Sequence, residues 1–481
     1  MSVERRIHSD INSIIYSYNK GVRFMSDSNT KKKAMDMING SLWNKILIFA
    51  LPLAASSILQ QLFNSVDTAV VGRFASSQAL AAVGSNSSLI SLMINLFIGI
   101  SLGSNVVIAH YIGQRAEKNI QAAVHTAMVV AVISGVFVMI AGQFIAKPVL
   151  LLMGTPDDVI DLAVLYLRIY LLGMPFIMLY DFGSSILRST GDSKRPLYSL
   201  IVAGIVNTVL NLILVIVFKL GVSGVAIATV ISNIVSSSIV IYILMHDTGS
   251  IRLDIKKLTI VPKELKKILT IGVPAGLQGM VFSIANVCIQ STINSFGSSA
   301  IAGSAAALNY EFFAYFMVSA FAQATVTFTS QNYGAGKYDR CRKIYHIAMA
   351  FSLLSCGLLS AIFVLGRDMF LGFYSTDADV LYYAEQRIII ATTLELLTSV
   401  YEISAGAMRG LGHSLLPAII TVIGSCVLRL IWISTVCRVF HEFWVLIIIY
   451  PISWIITGII MVIAYHVIKG KVIKEKVIKA A

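Results

Sequence analysis

Apolar residues in this chain gather in long unbroken runs, and polar residues collect in short stretches between them. Twelve runs reach about 20 residues or more, the length a helix needs to cross about 30 Å of hydrocarbon. They lie near 44–71, 79–110, 121–146, 159–187, 196–219, 222–245, 266–295, 300–331, 343–366, 379–408, 415–438 and 443–468. A transmembrane barrel would show short alternating strands instead. The pattern predicts an all-α membrane protein with twelve transmembrane helices.

The runs repeat. "ALPLAASSILQQLFNSVDTAVVGRFASS", starting at Ala50, is matched by "GVPAGLQGMVFSIANVCIQSTINSFGSS", starting at Gly272, so that Pro52 faces Pro274 and Asn64 faces Asn286. Further on, "HYIGQRAEKNIQAAVHTAM" faces "QNYGAGKYDRCRKIYHIAM", and "YDFGSSILRSTGDSKRP" faces "YEISAGAMRGLGHSLLP". The register is nearly constant, which chance likeness between apolar segments would not keep. Each half therefore holds six helices, and an even number makes the halves run the same way through the membrane. Two parallel six-helix lobes related by a pseudo-twofold axis along the membrane normal suit alternating access around a central cleft. The expected divisions are a polar segment 1–42, a first lobe 43–245, a linker 246–265, a second lobe 266–468 and a basic tail 469–481.

Composition supports the membrane reading: 57% of the 481 residues are hydrophobic and only 13% are charged. The net charge of +13 is distributed by loop, which argues against nucleic acid as a partner. Arg115 and Lys118, Lys194 and Arg195, Arg252, Lys256, Lys257 and Lys263, and Lys337, Arg340, Arg342 and Lys343 fall in loops on one side. The other side holds Asp157, Asp158 and Asp161 with few cations. By the positive-inside rule both termini are cytoplasmic, in a multi-pass protein of the cell membrane. Residues 1–42 lack the apolar core of a cleavable signal peptide. Cys288, Cys341, Cys356, Cys426 and Cys437 have no ligand spacing and read as small core residues, with no metal site.

In a membrane transporter, function is sought in polar groups at membrane depth. Asp67 lies in an otherwise apolar helix and faces Ile289 in the second copy. It is read either as a coupling carboxylate or as a solvated neighbour of Arg73. Asn207 and Asn211 fall at i and i+4 on one helical face, where two amides hold water, a cation or a carboxylate, or bond between helices. Glu311 and Glu395 stand in apolar second-lobe segments as substrate or cation counter-charges, with Arg387 and Arg429 as the alternative ion-pair partners. Asp181 with Arg188, and the repeat-related Glu402 with Arg409, read as a cytoplasmic gate or structural salt bridges. His125 and His346, also repeat-related, read as structural. The aromatic group around Glu311 (Tyr310, Phe312, Phe313, Tyr315, Phe316) offers cation–π surface or ordinary packing.

These residues sit in motifs that resemble the MATE family, the multidrug and toxic compound extrusion transporters. The likeness covers about residues 40–470 and is carried by "NSVDTAVVGRF", "ILRSTGDSKRP" and "SQNYGAGKYDR". The resemblance implies two lobes forming a V, substrate in the cleft or a lobe pocket, and export of mostly cationic amphiphiles against inward H⁺ or Na⁺. It also implies a cation site at Asp67, Asn207, Asn211 and Thr229. In many members the position of Asn211 is an aspartate, so this chain lacks a second carboxylate there and leaves Asp67 as the pocket's sole titratable group. That weakens a Na⁺ cage, because hard cations favour charged oxygens.

"STGDSKRP" and "YGAGKYDR" lack the Walker spacing, so an ion gradient, not ATP, is the expected energy source. The reading is a monomeric antiporter, not an enzyme, that exports small organic cations in exchange for H⁺ or Na⁺ without a cofactor. The alternative is a lipid or lipid-linked oligosaccharide flippase, which needs cations lining the cleft to grip a diphosphate.

Overall fold

A computed structural model describes residues 35–480 of the chain. Most of the polar segment 1–42, with Lys31 to Lys33, lies outside the described residues. Thirteen helices carry the fold: α1 Leu42–Phe74, α2 Ser77–Gln114, α3 Glu117–Leu152, α4 Asp157–Leu172, α5 Met174–Ser189, α6 Lys194–Val217, α7 Val222–Met245, α8 Pro262–Asn294, α9 Ser298–Gly334, α10 Tyr338–Leu365, α11 Ala378–Gly410, α12 Leu415–Val439 and α13 Phe443–Val472. Eleven are long and apolar enough to cross a membrane, and α4 with α5 make the twelfth span. No strand occurs among the described residues.

The sequence pattern predicts one unbroken helix over 159–187, but the chain bends there by 46° between α4 and α5. Pro175, at the start of α5, has no N–H to give and its ring crowds the carbonyl of Leu171, so the helix stops at Gly173. The second half breaks at the same repeat position without a proline. There α11 passes through a π turn, Ile388–Thr392, and a 3₁₀ turn, Glu395–Leu397, on either side of Leu394. Both halves thus interrupt this span beside their acidic residues, Asp181 and Glu402.

The halves meet along two seams that the pseudo-twofold relates. In one, α2 lies on α8. Gly99 and Gly103 of α2 and Gly272 and Gly276 of α8 bring the backbones so close that a methyl on Gly99 would overlap the backbone of Gly276. Small residues four apart on both helices are the device by which membrane helices make such contacts. In the other seam α9 packs on α1, and Ala50, Ala54, Ala320 and Ala324 stand buried at the equivalent positions. Where α2 crosses α9 the symmetry is reciprocal: a side chain on Gly113 would strike Gln331, and one on Gly334 would strike His110.

Hydrogen bonds between the halves run from mid-membrane, where Asn95 Nδ2 donates to Ser283 Oγ at 2.9 Å, to the end that carries the basic loops. There Thr327 donates to Asn105 Oδ1 at 3.0 Å and Gln331 Nε2 to the Ser189 carbonyl at 2.6 Å. The motif "SQNYGAGKYDR" does more than turn the chain. Asn332 donates to the Met37 carbonyl at 3.1 Å, Lys337 to the Ile38 carbonyl at 3.2 Å, and Arg340 to the Gly40 carbonyl at 3.2 Å. The entry to α1 is thereby held against the second half. The linker is similarly tied, with Gln121 donating to the Ser250 carbonyl at 2.6 Å and the Asp254 amide donating to His125 Nε2 at 3.2 Å. His125 thereby holds the linker against α3. Asp254 also accepts from the Lys256 amide and pairs with Lys257, which holds its carboxyl below the usual range.

Candidate functional site

Helices α1 and α6 approach where Gly204 has no side chain, and the Phe63 ring fills that space. One turn beyond Phe63, Asp67 meets α6 and α7. Asn207 and Asn211 are both buried on the facing side of α6. Asn211 Nδ2 donates to Asp67 Oδ1 and, at 3.2 Å, to Asn207 Oδ1. The Thr229 hydroxyl stands 3.5 Å from Asp67 Oδ2 and donates to the Val225 carbonyl at 2.9 Å. The four residues singled out in the sequence thus converge. Asp67 is half-buried and forms no ion pair with Arg73 among the described residues.

Three features of this pocket were not read from the sequence. Asn211 Oδ1 is buried without a hydrogen-bond partner. Directly after Asn211 and Leu212, α6 widens into a π turn, Ile213–Val217, of the kind often found at functional sites. Tyr166 and Tyr170, with ring centroids 6.1 Å apart, also lie within electrostatic reach of Asp67. Their i, i+4 spacing on α4 was the available signal. Tyr170 is also within electrostatic reach of Asp181.

In the second half, Glu311 is committed. Its two oxygens accept from Arg387 Nε at 2.7 Å and Nη2 at 2.9 Å, and Arg387 Nη1 donates to Ser304 Oγ at 2.6 Å. The ion-pair reading of Glu311 therefore replaces that of an open counter-charge. Tyr450 presents its ring to Arg387 at 5.4 Å and to Arg429 at 4.5 Å. Glu395 is buried in the same cluster, and its carboxylate makes no hydrogen bond among the described residues. The aromatic group splits. Tyr310 packs against Phe363 and Phe370, with its hydroxyl on the Phe370 carbonyl at 2.7 Å, while Phe312 is exposed.

Removing one partner of a buried pair strands the other charge, at about 3–5 kcal/mol. Arg387→Met is therefore expected to lower the thermal unfolding midpoint sharply, and the double variant Glu311→Gln/Arg387→Met to recover most of the loss. Equal melting of the two variants would mean the pair contributes nothing.

The expected salt bridges Asp181–Arg188 and Glu402–Arg409 do not form among the described residues. Each pair is two turns apart on one helix, farther than the side chains reach. Arg188 instead crosses to the other half, donating to Gln323 Oε1 at 3.2 Å, and Arg409 donates to Gln278 Oε1 at 2.7 Å. Glu402 accepts from the Tyr315 hydroxyl at 3.4 Å. Arg188, Asn105, Thr327 and Gln323 line a recess at this junction.

A family model described as MatE matches residues 52–213 and 274–433, one block in each half. The chain is 30% identical over 389 residues to "Probable multidrug resistance protein YoeA" of Bacillus subtilis, covering 79% of this chain and 84% of that protein. It is 28% identical over 311 residues to "Probable multidrug resistance protein YpnP" of the same organism, covering 64% and 69%. Among solved structures it resembles the outward-facing conformation of a multidrug resistance MATE family transporter of the MOP superfamily. That likeness has a TM-score of 0.86 at 21% identity and covers 93% of this chain and 100% of that one.

Proposed function

Because this chain belongs to the MatE family of multidrug efflux transporters, we propose that it is an antiporter that exports cationic amphiphiles in exchange for protons, with Asp67 as the coupling carboxylate. The observation that carries this reading is the bond from Asn211 to Asp67. A relative with aspartate at that position offers a cation a second charged oxygen, whereas here an amide N–H points at the carboxylate. An N–H competes with a metal ion for the same oxygen, and a single carboxylate is a poor cage for a hard cation. A proton needs only the one carboxyl.

The closed seam lies at the end bearing the basic loops. With those loops in the cytoplasm, both termini are cytoplasmic and the closed seam faces inward. A proton entering from outside would load Asp67 in this state and leave in the other, which requires the two states to bind it with different affinity. The flippase alternative draws on cations lining the cleft, and Arg387 and Arg429 are instead enclosed in the second half with Glu311 and Tyr450.

Ethidium efflux from vesicles, with proton and sodium gradients imposed separately, tests the reading. A proton gradient should drive export and a sodium gradient alone should not; export driven by sodium alone would sink it. Asn211→Asp restores the second carboxylate, and with it efflux should gain a dependence on sodium that the parent lacks.

A further inference from the structure

At the end that carries the basic loops, the second half holds a recess far along the chain from the Asp67 pocket. It lies between the ends of α9, α10 and α13 and the turn after α11, and is small and open to solvent, with a cavity volume of about 10 Å³. Thr329, Tyr338, Arg342 and Lys469 supply its polar lining, and Leu411 and Val472 its apolar wall. Tyr465 also lines it and stacks on Tyr345 with ring centroids 4.2 Å apart.

Its two cations have no partner of opposite charge, and the hydroxyls beside them can donate. Neither Arg342 nor Lys469 takes part in an ion pair among the described residues. His346 and His466 stand beside them, and the charged groups acting on His346 are Arg342, Lys469 and His466, with no carboxylate among them. Thr329 Oγ1 is buried and has no hydrogen-bond partner. Gathering cations around a recess without a carboxylate raises the local potential, which an anion relieves. A guanidinium fork, an ammonium and two hydroxyls together match the several acceptor oxygens of a phosphate.

The position selects the setting in which such a group is met. The recess opens at the end of two membrane-length helices, α10 and α13. Tyr465, Lys469 and Val472, one helical face of α13, turn toward it. Basic pockets between membrane helices are where anionic headgroups bind.

We propose that this recess binds a phosphate group, presented by an anionic phospholipid or free in solution, through Arg342 and Lys469 with the hydroxyls of Tyr338 and Thr329. Its occupant bridges α9, α10, the turn after α11 and α13, all within the second half.

The full chain, purified in detergent, is titrated with phosphatidylglycerol and phosphatidylcholine by native mass spectrometry. In a second arm inorganic phosphate is added and the thermal unfolding midpoint is followed. The parent should prefer phosphatidylglycerol, and Arg342→Gln/Lys469→Gln should bind it about thirtyfold more weakly, the equivalent of about 1 kcal/mol for each basic side chain. Lys256→Gln/Lys257→Gln, which removes two exposed cations of the linker, should bind as the parent does. If the two lipids bind alike but phosphate raises the melting midpoint of the parent and not of Arg342→Gln/Lys469→Gln, the site stands and free phosphate is its ligand. The proposal is overturned if Arg342→Gln/Lys469→Gln matches the parent in both arms, or if the linker variant loses as much.

Discussion

Asp67→Asn is expected to reduce ethidium efflux to the rate seen with no ion gradient, while the purified variant melts as the parent does. Asparagine has the shape of aspartate. Its Oδ1 can still accept from Asn211 Nδ2, and its own amide can turn toward the Thr229 hydroxyl, so the bonds that hold α1 to α6 and α7 survive. What disappears is the group that gains and loses a proton. Without it neither state of the transporter binds a proton in preference to the other at this pocket, and a gradient has nothing to act on. Efflux assayed in vesicles with and without an imposed proton gradient separates the two rates. A variant that still responds to the gradient as strongly as the parent would place coupling elsewhere, and Asp181, which shares the neighbour Tyr170 with Asp67, would be the first residue to examine.

That pocket was legible in the sequence because its residues break local patterns. A carboxylate in an apolar helix and two amides at i and i+4 stand out in any chain, and the resemblance supplied the partner threonine. The span count and the parallel halves were legible for a similar reason, since run length and register survive without any knowledge of packing. Pairing was not. Arg387 and Arg429 were both candidates for Glu311, and only the fold decides that Arg387 presents its fork to both oxygens. Repeat symmetry misled at Arg188 and Arg409, where proximity along a helix suggested Asp181 and Glu402 as partners. The arginines instead reach glutamines on neighbouring helices. The glycines at 99, 103, 272 and 276 carried a readable signal, a four-residue spacing of small residues, but within a single sequence nothing says which two such stripes meet.

The two seams explain how one fold can be firm on one side and yield on the other. With glycines on both helices, α2 and α8 touch through backbone atoms, and no side chain can rotate to ease their separation. Alanines at the equivalent places leave α1 and α9 a methyl group further apart. Phe49 and Phe328 fill that interface, with ring centroids 5.7 Å apart. The looser seam belongs to α1, the helix that carries Asp67. On the proposed mechanism, a change at the carboxylate is expected to move α1 against α9 while α2 and α8 act as the hinge.

Gly276→Val should then be far more damaging than its size implies. Any side chain at this position meets the carbonyl of Leu96, and the branched methyls of valine would widen the clash. Backbone cannot turn aside as a long side chain does, so α2 and α8 must part along the whole contact. The bond between Asn95 and Ser283 would break with it. Overpacking a tight interior costs about 1–3 kcal/mol and more where nothing can relax, so a loss of about 3 kcal/mol or greater is expected. Ala54→Gly, at the matching place in the other seam, removes one methyl and should cost about 1 kcal/mol, mostly from helix propensity. Thermal unfolding of the two purified variants compares them directly. Similar melting points would show that the seams are equivalent, and the assignment of the α2–α8 contact as hinge would have to be abandoned.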